Sequence, residues 1–403
     1  MRVDLVHYSS PPVVGGVESV IAHHARLMAD AGHGVRILAG RGDVFDARVQ
    51  FIHIPLFDSR HASILEVKRD LDQGIIPSQF SVLKDQLVST LKEVTKETDV
   101  LIAHNVCSLS KNLPLTAALY QLYQERKSLR LILWHHDLAW TTPRYRSELH
   151  DGYPWDLLRR DWTGAKQVVV SGLRRQELSE LLGIPIERVI VVPNGLDIER
   201  FLKLEERSVE LVSQLDLLEA APLLLLPVRI TPRKNIELAL SVLAALRAQF
   251  PKAALVITGP LGPHNPANVD YFKRLLSLRE VLGLTGCAHF LAEVCPEYLP
   301  DGVIADFYHL ADALIFPSRE EGFGIPILEA GLAGLPIFCA DIPPLRELAG
   351  DNAVYYDPDT DPKVVASVIS EHFLSNPAYQ LRVRVRTHYT WQRLYVEQIE
   401  PLL

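Results

Sequence analysis

Two glutamates with seven residues between them, Glu321 and Glu329, flank the string Gly322-Phe323-Gly324-Ile325-Pro326. The apolar run before them, 313–316, predicts a strand, and Pro326 suits the first turn of a helix. Glycines on either side of Phe323 let a ligand approach the backbone. A helix that starts there offers unpaired N–H groups and a positive dipole end, a setting that favours a diphosphate. Glu321 then falls in the loop and Glu329 one turn into the helix, so both can face one cleft in different roles, one beside a sugar and the other accepting hydrogen bonds from ribose hydroxyls. A second constellation lies in Arg229-Ile230-Thr231-Pro232-Arg233-Lys234-Asn235, after another apolar run. Arg229 and Lys234 there can hold a leaving diphosphate and offset the charge that grows as the bond to it breaks. Arg233 reads as solvated.

His135-His136-Asp137 and His104-Asn105 each close an apolar run. Neighbours on an extended segment point to opposite faces, so His135 and His136 do not share one ion. No metal site is expected from them, and Cys107, Cys287, Cys295 and Cys339 contain no CxxC pair. Gly15-Gly16 follows the first apolar run, where the Gly16 backbone can approach a ligand, and Glu18 suits the first turn of the following helix. The aromatic segment 140–155, with Arg144, Tyr145 and Arg146, reads as a lining for a polar or phosphorylated acceptor, set against a plain surface loop.

These residues need strands and helices to carry them. Short apolar runs at 2–6, 35–38, 100–103, 131–134, 168–170 and 189–192 alternate with helical patterns. A second series occupies 223–228, 255–258, 288–291, 313–316 and 337–339. Such alternation predicts parallel sheets covered by helices on both faces, in two Rossmann-like halves. The joint is expected near Pro193-Asn194-Gly195, with a helix at 209–218 beyond it. The stretch 64–97, broken at Gly74 and Pro77, reads as an inserted helix pair. Arg382, Arg384 and Arg386 read as a solvated basic face, with lipid head-group contact as the alternative.

The whole pattern resembles glycosyltransferase family 4. Glu321 to Glu329 is similar to that family's E-x7-E motif, and Arg229 to Asn235 to its R-[LI]-x-x-x-K-[GN]. Pro193-Asn194-Gly195-Leu196-Asp197 resembles its interdomain P-N-G-[VIL]-D. Gly15-Gly16 and His136-Asp137 fall at the family's corresponding strand ends. One departure is Val228, where many members have glycine before the arginine. The resemblance implies an α/β GT-B fold: two Rossmann-like domains facing a deep interdomain cleft, 1–195 for the acceptor and 196–380 for the nucleotide-sugar. Residues 381–403 would form a C-terminal helix crossing back to the first domain, its last part starting at Trp391. It implies a retaining enzyme that moves a hexose-type sugar from a nucleoside diphosphate sugar to an acceptor hydroxyl.

His136, Arg229, Lys234 and Glu321 would be the catalytic set, with His136 near the reacting carbon and Asp137 orienting it; His135 is the alternative one residue back. Gly16, Arg229, Lys234, Gly322, Phe323, Gly324, Ile325 and Glu329 would hold the donor. Gly15, His104, Arg144 and Tyr145 would meet the acceptor, be it a saccharide, a small phosphate or lipid-linked. No cofactor or metal is expected, and UDP or GDP is the expected nucleotide. A GT-B epimerase or hydrolase, a catalytically silent nucleotide- or carbohydrate-binding protein, and, as the outsider, a metallohydrolase built on His104, His135 and His136 are the competing readings.

Composition narrows the classes. The chain has 403 residues, a net charge of −8 and 48% hydrophobic residues, enough apolar material for two cores. Its mild acidity argues against a nucleic-acid-coating protein. The N-terminus shows no secretory signal, and no apolar run reaches the roughly 18 residues of a spanning helix. A cytoplasmic protein is expected, with no feature that calls for membrane attachment.

Overall fold

Continuous apolar runs become central strands because a parallel sheet covered on both faces leaves neither face of a strand to water. The structure, a computed structural model, describes residues 1–261, 267–295 and 298–403. The chain divides into two units, residues 1–195 with 391–403, and residues 196–390.

The first unit is built on β1 (Arg2–Ser9), β2 (Gly34–Arg41), β3 (Val49–His53), β4 (Val100–His104), β5 (Arg130–His135), β6 (Lys166–Val169) and β7 (Val189–Val191). They lie in the order β3-β2-β1-β4-β5-β6-β7, and each neighbouring pair is parallel. Among the described residues the second unit holds β8 (Leu223–Leu226), β9 (Ala254–Ile257), β10 (Ala288–Phe290), β11 (Ala313–Phe316), β12 (Ile337–Ala340) and β13 (Val354–Tyr356). Their order is β10-β9-β8-β11-β12-β13, again parallel throughout. Both units are Rossmann-like α/β folds.

The apolar pattern missed β3 and β13, and both are edge strands. An edge strand is covered less completely, so its sequence mixes buried and exposed positions: Val49 is buried while Gln50 and His53 are exposed. The inserted pair forms helices Ala62–Leu71 and Ser78–Val94, and the helix expected at 209–218 spans Glu206–Gln214.

The C-terminal segment differs from its expectation. The chain returns to the first unit at Trp391, not at 381; the helix Pro377–His388 stays with the second. Trp391 stacks on His23 with ring centroids 4.9 Å apart, and Ile399, Leu402 and Leu403 join Val3 and Leu5 in the first unit's core. Nor is Arg386 part of a solvated face. It is 4% exposed, and it donates to Asp312 Oδ2 at 2.8 Å and to Leu310 O at 3.2 Å. Asp312 enters β11 with its side chain fully buried, and a carboxylate so placed requires a paired cation. Arg384 does stay at the surface, against the Tyr389 hydroxyl.

Strand order reverses between β1 and β4 in the first sheet, and between β8 and β11 in the second. Ligands of open α/β sheets bind outside the carboxyl ends of the strands at such a point. Gly15 and Gly16 follow β1, His104 ends β4, Arg229 and Lys234 follow β8, and Glu321 to Ile325 follow β11. Among the described residues no helix is long and apolar enough to cross a membrane.

Candidate functional site

In the second unit, the loops after β8 and β11 lie side by side. The Arg319 N–H donates to the Arg233 carbonyl at 2.9 Å, and Arg233 donates to the Glu320 carbonyl at 3.2 Å. This lacing brings the Lys234 ammonium onto Glu321 Oε1. Both side chains are largely enclosed, at 10% and 7% exposure. Burial pulls the Lys234 pKa below its ordinary value, although the hydrogen bond to Glu321 opposes the shift. The ammonium also lies 5.4 Å from the centre of the Phe316 ring. Arg229 is exposed at the end of β8, near enough for its charge to be felt at Lys234. Arg233 is solvent-facing, with its guanidinium 3.8 Å from Glu321.

The helix after β11 spans Ile325–Leu332 with Pro326 in its first turn. Its cap, Gly324, has φ +106 and ψ 46, and no side chain caps the helix N–H groups. A Cβ there would lie 2.6 Å from Leu345 Cδ2, so the turn requires glycine for its backbone as well as for space. Gly322, Phe323 and Ile325 are exposed. Glu329 sits one turn into the helix and accepts a hydrogen bond from the Tyr308 hydroxyl at 2.5 Å. Burial, followed by the hydrogen bond to Glu329, raises the Tyr308 pKa. A cavity of about 290 Å³ opens beside this pair, with Asp301, Ile304, His309 and Leu332 in its wall.

In the first unit, Gly16 is the first residue of the helix Gly16–Asp30, with Gly15 as its cap. Glu18 folds back over that cap: its Oε1 accepts from Ser9 Oγ at 2.5 Å, and a Cβ on Gly15 would collide with its carboxylate. Beneath lies a group of imidazoles, those of His7, His24 and His104 buried and that of His136 half-buried. His7 Nδ1 bonds the His104 carbonyl at 2.7 Å, and His104 Nδ1 meets His136 Nε2 at 3.2 Å. His24 packs edge-on to Trp134. Burial lowers all of them, His7 to about 4, His24 and His136 to about 3, and His104 well below its ordinary value. They are neutral at pH 7.

His135 turns the other way, to Gln167 Oε1 at 2.8 Å on β6. Asp137 does not face the His136 ring, as expected of an orienting carboxylate; it lies 3.7 Å from Arg144 and 3.6 Å from Arg174, because two nearby guanidinium groups attract it more than a neutral imidazole does. The acceptor group is dispersed. His104 is fully buried and Tyr145 is 9% exposed; Tyr145 packs with Trp155, Ile64 and Phe80 in a small core of its own. Arg144 and Arg146 are exposed, Arg144 lying over the Tyr145 ring. Tyr308 escaped the reading of the sequence, and Asn105 entered it only as the neighbour of His104 at a strand end, since nothing in local spacing tells which distant group a tyrosine or an asparagine reaches. Among the described residues no group of three or more histidines, cysteines or carboxylates has the arrangement to hold a metal ion.

Comparison with known proteins gives two family matches in chain order. Residues 14–200 match Glycosyltransferase Family 4, and residues 210–387 match Glycosyl transferases group 1. Mannosylglucosylglycerate synthase of Petrotoga mobilis is 23% identical over 85% of this chain and 83% of its own length. Glycogen synthase of Mycobacterium tuberculosis is 23% identical, covering 97% of this chain and 92% of its own. O-antigen chain mannosyltransferase B of Escherichia coli is 25% identical over 63% of each.

Proposed function

We propose, from the premise that this chain is a glycosyltransferase of the GT-B type, that it transfers a hexose-type sugar from a nucleoside diphosphate sugar to an acceptor hydroxyl, retaining the anomeric configuration. UDP or GDP is the nucleotide, and the acceptor is a saccharide, a small phosphate or a lipid-linked group. The observation that carries this reading is the enclosed Lys234–Glu321 pair, set beside an uncapped helix start at the switch point of the second sheet.

Each group then has a task. The bond from the sugar C1 to the phosphate oxygen breaks, and negative charge gathers on the departing diphosphate. Lys234, Arg229 and the N–H groups at Ile325 offset that charge. Lys234 turns from Glu321 to the diphosphate, leaving the Glu321 carboxylate for hydroxyls of the donor sugar. Glu329, steadied by Tyr308, receives the ribose hydroxyls. The acceptor oxygen bonds C1 on the face the phosphate leaves, and its proton passes to the departing phosphate oxygen. In the first unit, His136 is the group that meets a sugar hydroxyl. Two cations and a helix end supply the positive charge, so the reaction needs no metal.

Calorimetry of the full chain against UDP, GDP, ADP and their sugars, with and without a chelator, tests the reading. Saturable binding of one nucleoside diphosphate that persists in chelator is expected. Absence of binding by all three, or binding lost to the chelator, overturns it.

A further inference from the structure

The residue after β4, Asn105, makes more directed contacts than a turn needs. It is 3% exposed and has φ +58, a left-handed conformation that asparagine tolerates better than most residues. Its Oδ1 accepts two backbone N–H groups of the loop after β5, from His136 at 2.7 Å and from Asp137 at 3.2 Å. Its own N–H donates to the Trp134 carbonyl at 2.9 Å, and its carbonyl receives the Leu109 N–H at 3.2 Å. The Asn105 backbone is therefore held on both sides while its side chain holds the His136 backbone.

The preceding residue grips the other part of His136. His104 Nδ1 lies 3.2 Å from His136 Nε2, with the rings 5.5 Å apart and 29° from coplanar. His104 is itself fixed, stacked on Trp134 and with its carbonyl bonded to His7. Its second nitrogen, Nε2, is buried without a partner among the described residues, so the His136 contact is the ring's one directed bond. One ring nitrogen must donate and the other accept, which places a single proton between them.

We propose that His104 and Asn105 act together as positioning residues for His136, turning its Nε2 inward so that Nδ1 is the ring nitrogen it offers to a bound sugar. The offer to a sugar rests on the transfer reaction proposed above; the holding of ring and backbone does not. Asn105 sets where the residue stands and His104 sets how its ring is rotated. A ring freed from either would sample other rotamers, and displacements of that size near reacting atoms cost rate more than affinity.

Four variants separate positioning from simple support. Asn105→Gly keeps the backbone conformation and removes the acceptor, whereas Asn105→Asp keeps an acceptor in place. His104→Phe keeps the stacked ring without nitrogen, whereas His104→Asn returns a polar atom near the position of Nδ1. The measurements are ¹⁵N spectra of histidine-labelled full chain, kcat for sugar transfer, and Kd for the nucleoside diphosphate. Expected are displaced His136 ring signals and a kcat lowered about tenfold or more in Asn105→Gly and His104→Phe, with Kd held within about twofold. Asn105→Asp and His104→Asn should return both readouts toward the unaltered chain. Unmoved His136 signals in the first two variants, or equal losses in all four, overturn the proposal. Should the unaltered chain transfer no sugar at all, the functional reading falls, and the spectra still decide whether this pair sets the His136 ring.

Discussion

The Lys234 ammonium donates to the Glu321 carboxylate, joining residues 87 positions apart where the loops after β8 and β11 run together. The pair keeps two opposite charges ready in a largely enclosed place, each satisfying the other until a diphosphate arrives. It also predicts that neither residue can be removed without exposing the other's need for a partner.

Lys234→Ala therefore has two effects. The Glu321 carboxylate is left without its main donor, at a cost of roughly 1–3 kcal/mol in stability, and nucleoside diphosphate affinity falls by about tenfold or more. Pairing it with Glu321→Gln should return most of the stability and none of the affinity. Chemical unfolding and calorimetry on the two variants check this.

Glycine is required at one end of the motif and not at the other. Gly324→Ala forces a side chain into φ +106 and against Leu345, which should cost about 1–3 kcal/mol and weaken donor binding. Gly322→Ala meets no atom within 4 Å and should stay within about 0.5 kcal/mol. Thermal unfolding of the two variants side by side reads the difference.

Tyr308→Phe keeps a ring and removes the hydrogen bond to Glu329 Oε2. Loss of about 1 kcal/mol of orientation, about fivefold in Kd for the nucleoside diphosphate, is expected. Binding of inorganic diphosphate, which has no ribose, should not change. A loss shared equally by both ligands would contradict the role given to Glu329.

Acid should unfold the first unit through its buried imidazoles. In the folded chain His7 takes a proton only near pH 4, and His24 and His136 only near pH 3, whereas an unfolded histidine does so near 6.5. Between those values the unfolded state binds more protons, so stability is intact above pH 6.5 and is lost as pH falls below it. Each imidazole adds up to about 1.4 kcal/mol per pH unit. Urea midpoints measured from pH 7.5 to 5 should fall, and His24→Phe should flatten the slope by one such increment.

Arg386→Met leaves the buried carboxylate of Asp312 only the Leu223 N–H and the Arg382 guanidinium 3.5 Å away and should cost about 1–3 kcal/mol, whereas Arg384→Met, at the surface, should stay within about 0.5 kcal/mol. Comparable losses in both would mean that burial is not what distinguishes them.

From its amino-acid order alone, the chain already yields two series of parallel strands, the joint near Gly195, the loops carrying Lys234 and Glu321, and the helix that carries Glu329. Those features are local: an apolar run, a proline in a first turn, and a glycine beside a ligand-bearing loop act over a few residues and leave a periodic trace. Edge strands β3 and β13 left a weaker one because incomplete cover removes the uniform apolar run. What tertiary structure alone decided are pairings across long separations. Lys234 finds Glu321, Tyr308 finds Glu329, and Asn105 takes the His136 backbone. Arg386, alternating with valine like its surface neighbours, is buried because Asp312 lies beneath it. A side chain's partner is set by where the sheets bring its neighbours, and no spacing along the chain records that distance.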